Sequence, residues 1–124
     1  MEILGSWKFN YISWRDGVKN LPRLLIKYED LVNDTYNTVV KVIIFLSKLI
    51  NCKIDHEKIK FSIKQSSFQR LQKLETTIGF EEISIKNKFF NSGKINQWKN
   101  QLTKDQIYFV ENTFKEEMKE LNYI

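Results

Sequence analysis

Apolar residues recur along this chain mostly at helical spacing, with one short run that breaks the rule. Trp7, Tyr11 and Trp14 stand at i, i+4 and i+7 within residues 6–14, which sets three rings on one face of a helix. Gly17 to Pro22 interrupts the pattern. The next apolar run, Leu24-Leu25-Ile26-Lys27-Tyr28, is too short for a stable helix and meets Glu29-Asp30 at once, so residues 23–28 are expected to form a buried, parallel-type strand. Asp34 then supplies a carboxylate to cap a helix running to Ile50. On that helix Val39, Val40, Val42, Ile43, Ile44, Phe45, Leu46, Leu49 and Ile50 occupy most of the circumference, so it has to be covered on most sides.

Further along, Asp55 can cap a helix carrying Ile59, Phe61 and Ile63, and Ser66-Ser67 opens another with Phe68, Leu71 and Leu74, ending near Gly79. Residues 80–102 have no period and read as an ordered loop. Thr103-Lys104-Asp105-Gln106 is a capping-box pattern before a terminal helix with Ile107, Val110, Phe114, Met118 and Leu121 at helical spacing. One strand cannot make a sheet, and the few remaining elements cannot cover the helix at 34–50. The expectation is therefore the C-terminal portion of one α/β domain whose N-terminal half lies outside residues 1–124.

Composition adds a core and a local charge. With 42% apolar residues and 14% aromatics among 124 residues, the chain has material for a packed interior. Four Gly and one Pro agree with long regular elements. The formal charge of +5 is uneven: Lys86, Lys88, Lys94, Lys99 and Lys104 have no acidic residue among them, whereas the segment after Asp105 is net acidic. That points to a local anionic partner. No stretch approaches the roughly 18 apolar residues of a membrane span, and the N-terminus has no signal-peptide pattern. Cys52, the single cysteine, cannot form an internal disulfide, so a soluble cytoplasmic chain is expected.

Familiar catalytic sets are absent from the sequence. His56 is the only histidine and reads as a solvated surface residue; with Cys52 alone beside it, no His/Cys metal cluster can form, and no metal is expected. Neither G-x-x-x-x-G-K-[ST] nor G-x-G-x-x-G occurs, and Glu29, Asp30, Glu81 and Glu82 have no partner marking an acid/base pair.

Five segments taken in order are more informative: Gly5-Ser6-Trp7 with Trp14; Tyr28-Glu29-Asp30-Leu31; Ser66-Ser67-Phe68; Phe89-Phe90-Asn91-Ser92-Gly93-Lys94 with Trp98-Lys99-Asn100 and Leu102-Thr103; and Leu121-Asn122-Tyr123. Their order and spacing resemble the cytosolic and bacterial sulfotransferases that use 3′-phosphoadenosine 5′-phosphosulfate (PAPS), over nearly the whole chain and on the C-terminal side of that fold. The resemblance implies a P-loop-NTPase-like three-layer α/β domain and transfer of a sulfuryl group to an acceptor hydroxyl or amine. It also implies that the phosphosulfate loop and the catalytic residues precede Gly5. No catalytic residue is therefore assigned within 1–124, and the isolated chain is expected to be inactive.

The resemblance further implies a nucleotide site. Tyr28 would lie at the adenine, the carboxyl end of a strand being where open α/β sheets bind ligands; its alternative role is to cap a core strand. Ser66 and Ser67 would hydrogen-bond the purine and Phe68 would stack on it, unless the serine is a helix cap and the ring belongs to the core. Asn91, Ser92, Gly93 and Lys94 correspond to the family's R-K-G-x-x-G segment, which holds the 3′-phosphate. Here Asn91 stands for the arginine, Ser92 for the lysine and Asn96 for the second glycine, so Lys94 has to restore the cation, as a point charge. Trp98 reads as a buried anchor for the loop. Two other readings compete. One is a basic helical nucleic-acid-binding module, which lacks any nucleic-acid motif. The other is a truncated, non-catalytic relative that self-associates through the surface left by the missing half.

Overall fold

A computed structural model describes residues 5–17, 19–79 and 89–124, and among them every regular element is helical. The eight helices are α1 (Trp7–Gly17), α2 (Tyr28–Asn33), α3 (Thr35–Ile50), α4 (His56–Gln65), α5 (Phe68–Ile78), α6 (Trp98–Gln101), α7 (Lys104–Thr113) and α8 (Lys115–Glu120). They belong to two compact units, one made of Met1–Arg23 with Asn96–Ile124, the other of Leu24–Ile95.

The helix starts follow local chemistry. The Asp34 carboxylate accepts from the Asn37 N–H at 3.3 Å, and Asp55 accepts from the N–H groups of Glu57 and Lys58 at 3.1 and 3.0 Å. Thr103 and Gln106 complete a reciprocal capping box at 2.9 and 3.3 Å. Each bond satisfies an amide that the first helical turn leaves without an intrahelical partner. At the far end of α3, Asn51 turns the chain in the left-handed region (φ 50°); Asn96 and Asn122 do the same at φ 59° and 55°.

Two sequence expectations are not met among the described residues. The run at 23–28 forms no strand among the described residues: the backbone is extended at Lys27, no ladder accompanies it, and Tyr28 begins α2. An extended segment becomes a strand only when a neighbour pairs with its N–H and C=O groups. Leu25 is 63% exposed, so the run is not buried either. The expected single terminal helix is broken at Phe114. Just before the break, Asn112 Nδ2 and Thr113 Oγ1 donate to the carbonyls of Tyr108 and Phe109 at 2.9 and 2.7 Å. Such bonds back to the preceding turn compete with the helical ladder and bend it.

In the Leu24–Ile95 unit, Thr38 joins α2 to α3 by donating from Oγ1 to the Asp30 carbonyl at 3.0 Å, and Ile59 is the buried apolar residue of α4. The apolar circumference of α3 is only partly covered: Leu49 and Ile50 are exposed, Ile50 by 69%.

In the other unit, Trp7 meets Phe114 edge to face with centroids 5.4 Å apart, and Leu121 is buried. Two ion pairs tie α1 to α8, Lys8 to Glu117 at 3.0 Å and Arg15 to Glu120 at 2.6 Å. Glu117 is only 4% exposed, and its ion pair with Lys8 holds its pKa below the usual carboxylate range. A depressed folded-state pKa stabilises the fold above the unfolded value and loses that stabilisation as pH falls through the folded one. Glu117→Gln is therefore expected to lower the unfolding midpoint near neutrality. The difference from wild type should shrink in melts taken progressively below pH ~4.3, the ordinary glutamate value.

Candidate functional site

Helix α5 presents Phe68, Gln72 and Glu75 at i, i+4 and i+7, one face over two turns. Residues 89–93 run back along that face toward the helix N-terminus. The Glu75 carboxylate accepts from the N–H groups of Phe89 and Phe90 at 2.6 and 3.0 Å. One turn earlier, Gln72 Nε2 donates to the carbonyls of Phe90 and Asn91 at 2.8 and 3.4 Å. Another turn back, Gly93 lies against the Phe68 ring so closely that a Cβ at residue 93 would stand 2.6 Å from a ring carbon. Gly93 is also left-handed, at φ 61°, a region that a side chain disfavours. Phe90 packs edge to face on Phe68 with centroids 6.0 Å apart.

This return brings Phe68 together with the segment holding Asn91, Ser92, Gly93 and Lys94. Ser67 sits at the N-cap position of α5 but makes no capping hydrogen bond, so its hydroxyl is not committed to the helix. Ser66 closes α4 and donates its hydroxyl proton to the Ser62 carbonyl at 2.9 Å, which leaves its oxygen as an acceptor. No acidic residue lies in the first turn of α5, so the positive end of the helix dipole is not neutralised there. Lys94 is exposed.

Other expected site residues stand apart. Tyr28, half exposed, opens α2 instead of ending a strand, and no described hydrogen bond or ring contact ties it to Phe68. Trp98 corrects the expectation of a buried anchor: it is 43% exposed at the start of α6, with Lys99 Nζ 5.6 Å above its ring. His56 is exposed as expected, its Nδ1 2.9 Å from the Tyr36 hydroxyl. Lys86, Lys88, Glu81 and Glu82 lie outside the described residues. Among the described residues no cluster of His, Cys, Asp and Glu could hold a metal ion, and no helix is long and apolar enough to cross a membrane.

Sequence reasoning overlooked Gln72 and Glu75. Their spacing from Phe68 was a readable signal, but their partners are backbone groups of residues 89–91, which no side-chain pattern marks.

A ring, a hydroxyl, a positive helix end and a lysine along one returning loop suit an anionic aromatic ligand, and comparison with known proteins gives that chemistry a family. The sulfotransferase domain family matches residues 2–122, and the chain belongs to it. It is similar to Sulfotransferase 2A1 of Macaca fascicularis, 29% identical over 123 residues that cover 96% of this chain and 42% of the relative. It is also similar to the 3-alpha-hydroxysteroid sulfotransferase of Cavia porcellus, 30% identical over 127 residues covering 94% and 40%. The amine sulfotransferase of Oryctolagus cuniculus is 24% identical over 127 residues covering 96% and 41%. The chain thus spans about two fifths of the length of these relatives. No solved structure matches it. Family membership does not favour the nucleic-acid reading.

Proposed function

We propose that this chain is the nucleotide-holding part of a PAPS-dependent sulfotransferase with a P-loop-NTPase-like, three-layer α/β fold. The observation that carries the proposal is the return of residues 89–93 along α5, which joins the aromatic of Ser66-Ser67-Phe68 to the loop bearing Asn91, Ser92, Gly93 and Lys94. That donor set fits an adenosine phosphate: an apolar ring face for the base, hydroxyls for its edge, and a lysine with a positive helix end for phosphate.

In this reading Phe68 stacks on the adenine while Ser67 can donate to or accept from the purine. Ser66, whose proton is engaged by Ser62, only accepts. Asn91 and Ser92 offer neutral hydrogen bonds to the 3′-phosphate, and Lys94 supplies its counter-charge. The family resemblance alone assigns Tyr28, at the start of α2, to the adenine. When bound, the nucleotide supplies an activated sulfuryl group for a hydroxyl or amine acceptor, the classes that the names of the relatives carry. No residue of 1–124 is assigned to the chemical step.

The exposed apolar residues Leu24 and Leu25, together with those of α3, support packing against a sheet that residues 1–124 do not supply. The full-length gene product is expected to transfer label from radiolabelled PAPS to a hydroxyl or amine acceptor. The 124-residue chain by itself is expected to show no turnover, to bind apolar dyes and to self-associate. Turnover by that chain, or a monomer that unfolds cooperatively and binds no dye, would overturn this division of labour.

A further inference from the structure

From the contacts along α5, we infer that Gln72 and Glu75 form a backbone clamp that positions the phosphate-side loop against the adenine-side ring, so that the two ends of the nucleotide are read as one unit. The inference rests on the nucleotide reading given above. It assigns to Gln72 and Glu75 a positioning role, since neither is placed on the ligand.

The clamp is built from complementary halves. Glu75 is an acceptor and takes two consecutive N–H groups, those of Phe89 and Phe90; Gln72 is a donor and takes two consecutive carbonyls, those of Phe90 and Asn91. Phe90 is therefore held through both its amide and its carbonyl, which fixes the peptide planes on either side of it. The two side chains are three residues apart on the helix, and the groups they hold are one residue apart in the loop. Charge-assisted bonds from carboxylate to amide are the stronger half.

Glu75 also decides which amides can serve a ligand. With the Phe89 and Phe90 amides on the carboxylate and the Asn91 amide on the Phe89 carbonyl at 3.0 Å, an incoming phosphate has to be met by groups from Ser92 onward and by side chains. A carboxylate beside the loop would repel a phosphate if its charge faced it; here two N–H dipoles stand on it. The clamp thus holds the loop at residues 89–91 and leaves Gly93, with Lys94 next to it, at the Phe68 end.

The experiment has two readouts on the full-length gene product. In ligand-free protein, amide hydrogen exchange at Phe89 and Phe90 is expected to rise at least tenfold in Glu75→Ala, with exchange in α3 and α4 unchanged. In the same variant, affinity for adenosine 3′,5′-bisphosphate is expected to fall about tenfold and affinity for 5′-adenylate less than threefold. Gln72→Ala should show the same selectivity with a smaller loss, and Glu75→Gln, which keeps one acceptor oxygen, should recover part of it. Unchanged exchange at Phe89 and Phe90 overturns the clamp itself. Faster exchange with equal losses for both nucleotides overturns its positioning role. Wild-type protein that binds neither nucleotide overturns the functional reading, while the exchange arm still decides whether the clamp exists.

Discussion

Gly93→Ala is expected to destabilise the Leu24–Ile95 unit and to disrupt nucleotide binding with it, through two separable costs. A left-handed backbone costs an L-residue about 1–2 kcal/mol, and Gly93 is held at φ 61°. The added methyl also meets Cδ2, Cε2 and Cγ of Phe68 at 2.6, 2.7 and 2.9 Å, and overpacking of this kind costs about 1–3 kcal/mol. The base of the ring is among these atoms, so no small rotation of a flexible tip relieves the contact. Urea unfolding of the single variant and of Gly93→Ala on a Phe68→Ala background separates the two terms. With the ring gone only the backbone term remains, so the cost should fall by about 1–3 kcal/mol. An equal cost in both backgrounds would mean that the glycine does not rest on the ring.

Removing the Lys94 cation is expected to split two nucleotides that removing the Phe68 ring leaves together. In the proposed site Asn91 and Ser92 offer phosphate only neutral hydrogen bonds, which leaves Lys94 to supply the counter-charge there. Lys94→Ala should weaken binding of adenosine 3′,5′-bisphosphate far more than that of 5′-adenylate, by about 1.5–3 kcal/mol for a charged hydrogen bond. Phe68→Ala should weaken both alike, by about 1–3 kcal/mol, because both present the same purine face. Calorimetry on the full-length gene product distinguishes the cases. Equal losses in Lys94→Ala would show that this lysine does not read the 3′-phosphate.

The helix starts were legible because a cap is local chemistry: Asp34, Asp55 and Thr103 each accept from an amide two or three residues on, and spacing alone reveals them. The strand expected at Leu24–Tyr28 finds no confirmation among the described residues for the opposite reason. Its apolar character was visible, but a strand is a relation between two segments, and the partner cannot be read from one of them. The break at Phe114 escaped because Ile107, Val110, Phe114, Met118 and Leu121 keep helical spacing through it, while the cause lies in the polar residues Asn112 and Thr113. At the candidate site the motif residues Phe68 and Gly93 were named from the sequence. What joins them, Gln72 and Glu75, needed the fold, since their partners are main-chain atoms up to 19 residues away.

Asn96 shows how a loop can abandon a glycine without changing its route. It stands where the family's pattern has its second glycine, yet it holds the same left-handed corner that a glycine would, as Asn51 and Asn122 do elsewhere. Asparagine tolerates that region better than other side chains, so the strain is modest. In the unfolded ensemble the balance tips the other way, because glycine explores more conformations and has more freedom to lose on folding, a difference of about 0.4–1 kcal/mol for a compatible replacement. The two effects oppose each other, which makes exchange between glycine and asparagine at such corners close to silent for stability. A chain with only four glycines can thus turn sharply at several points and still enter folding with a stiffer, less disordered starting state.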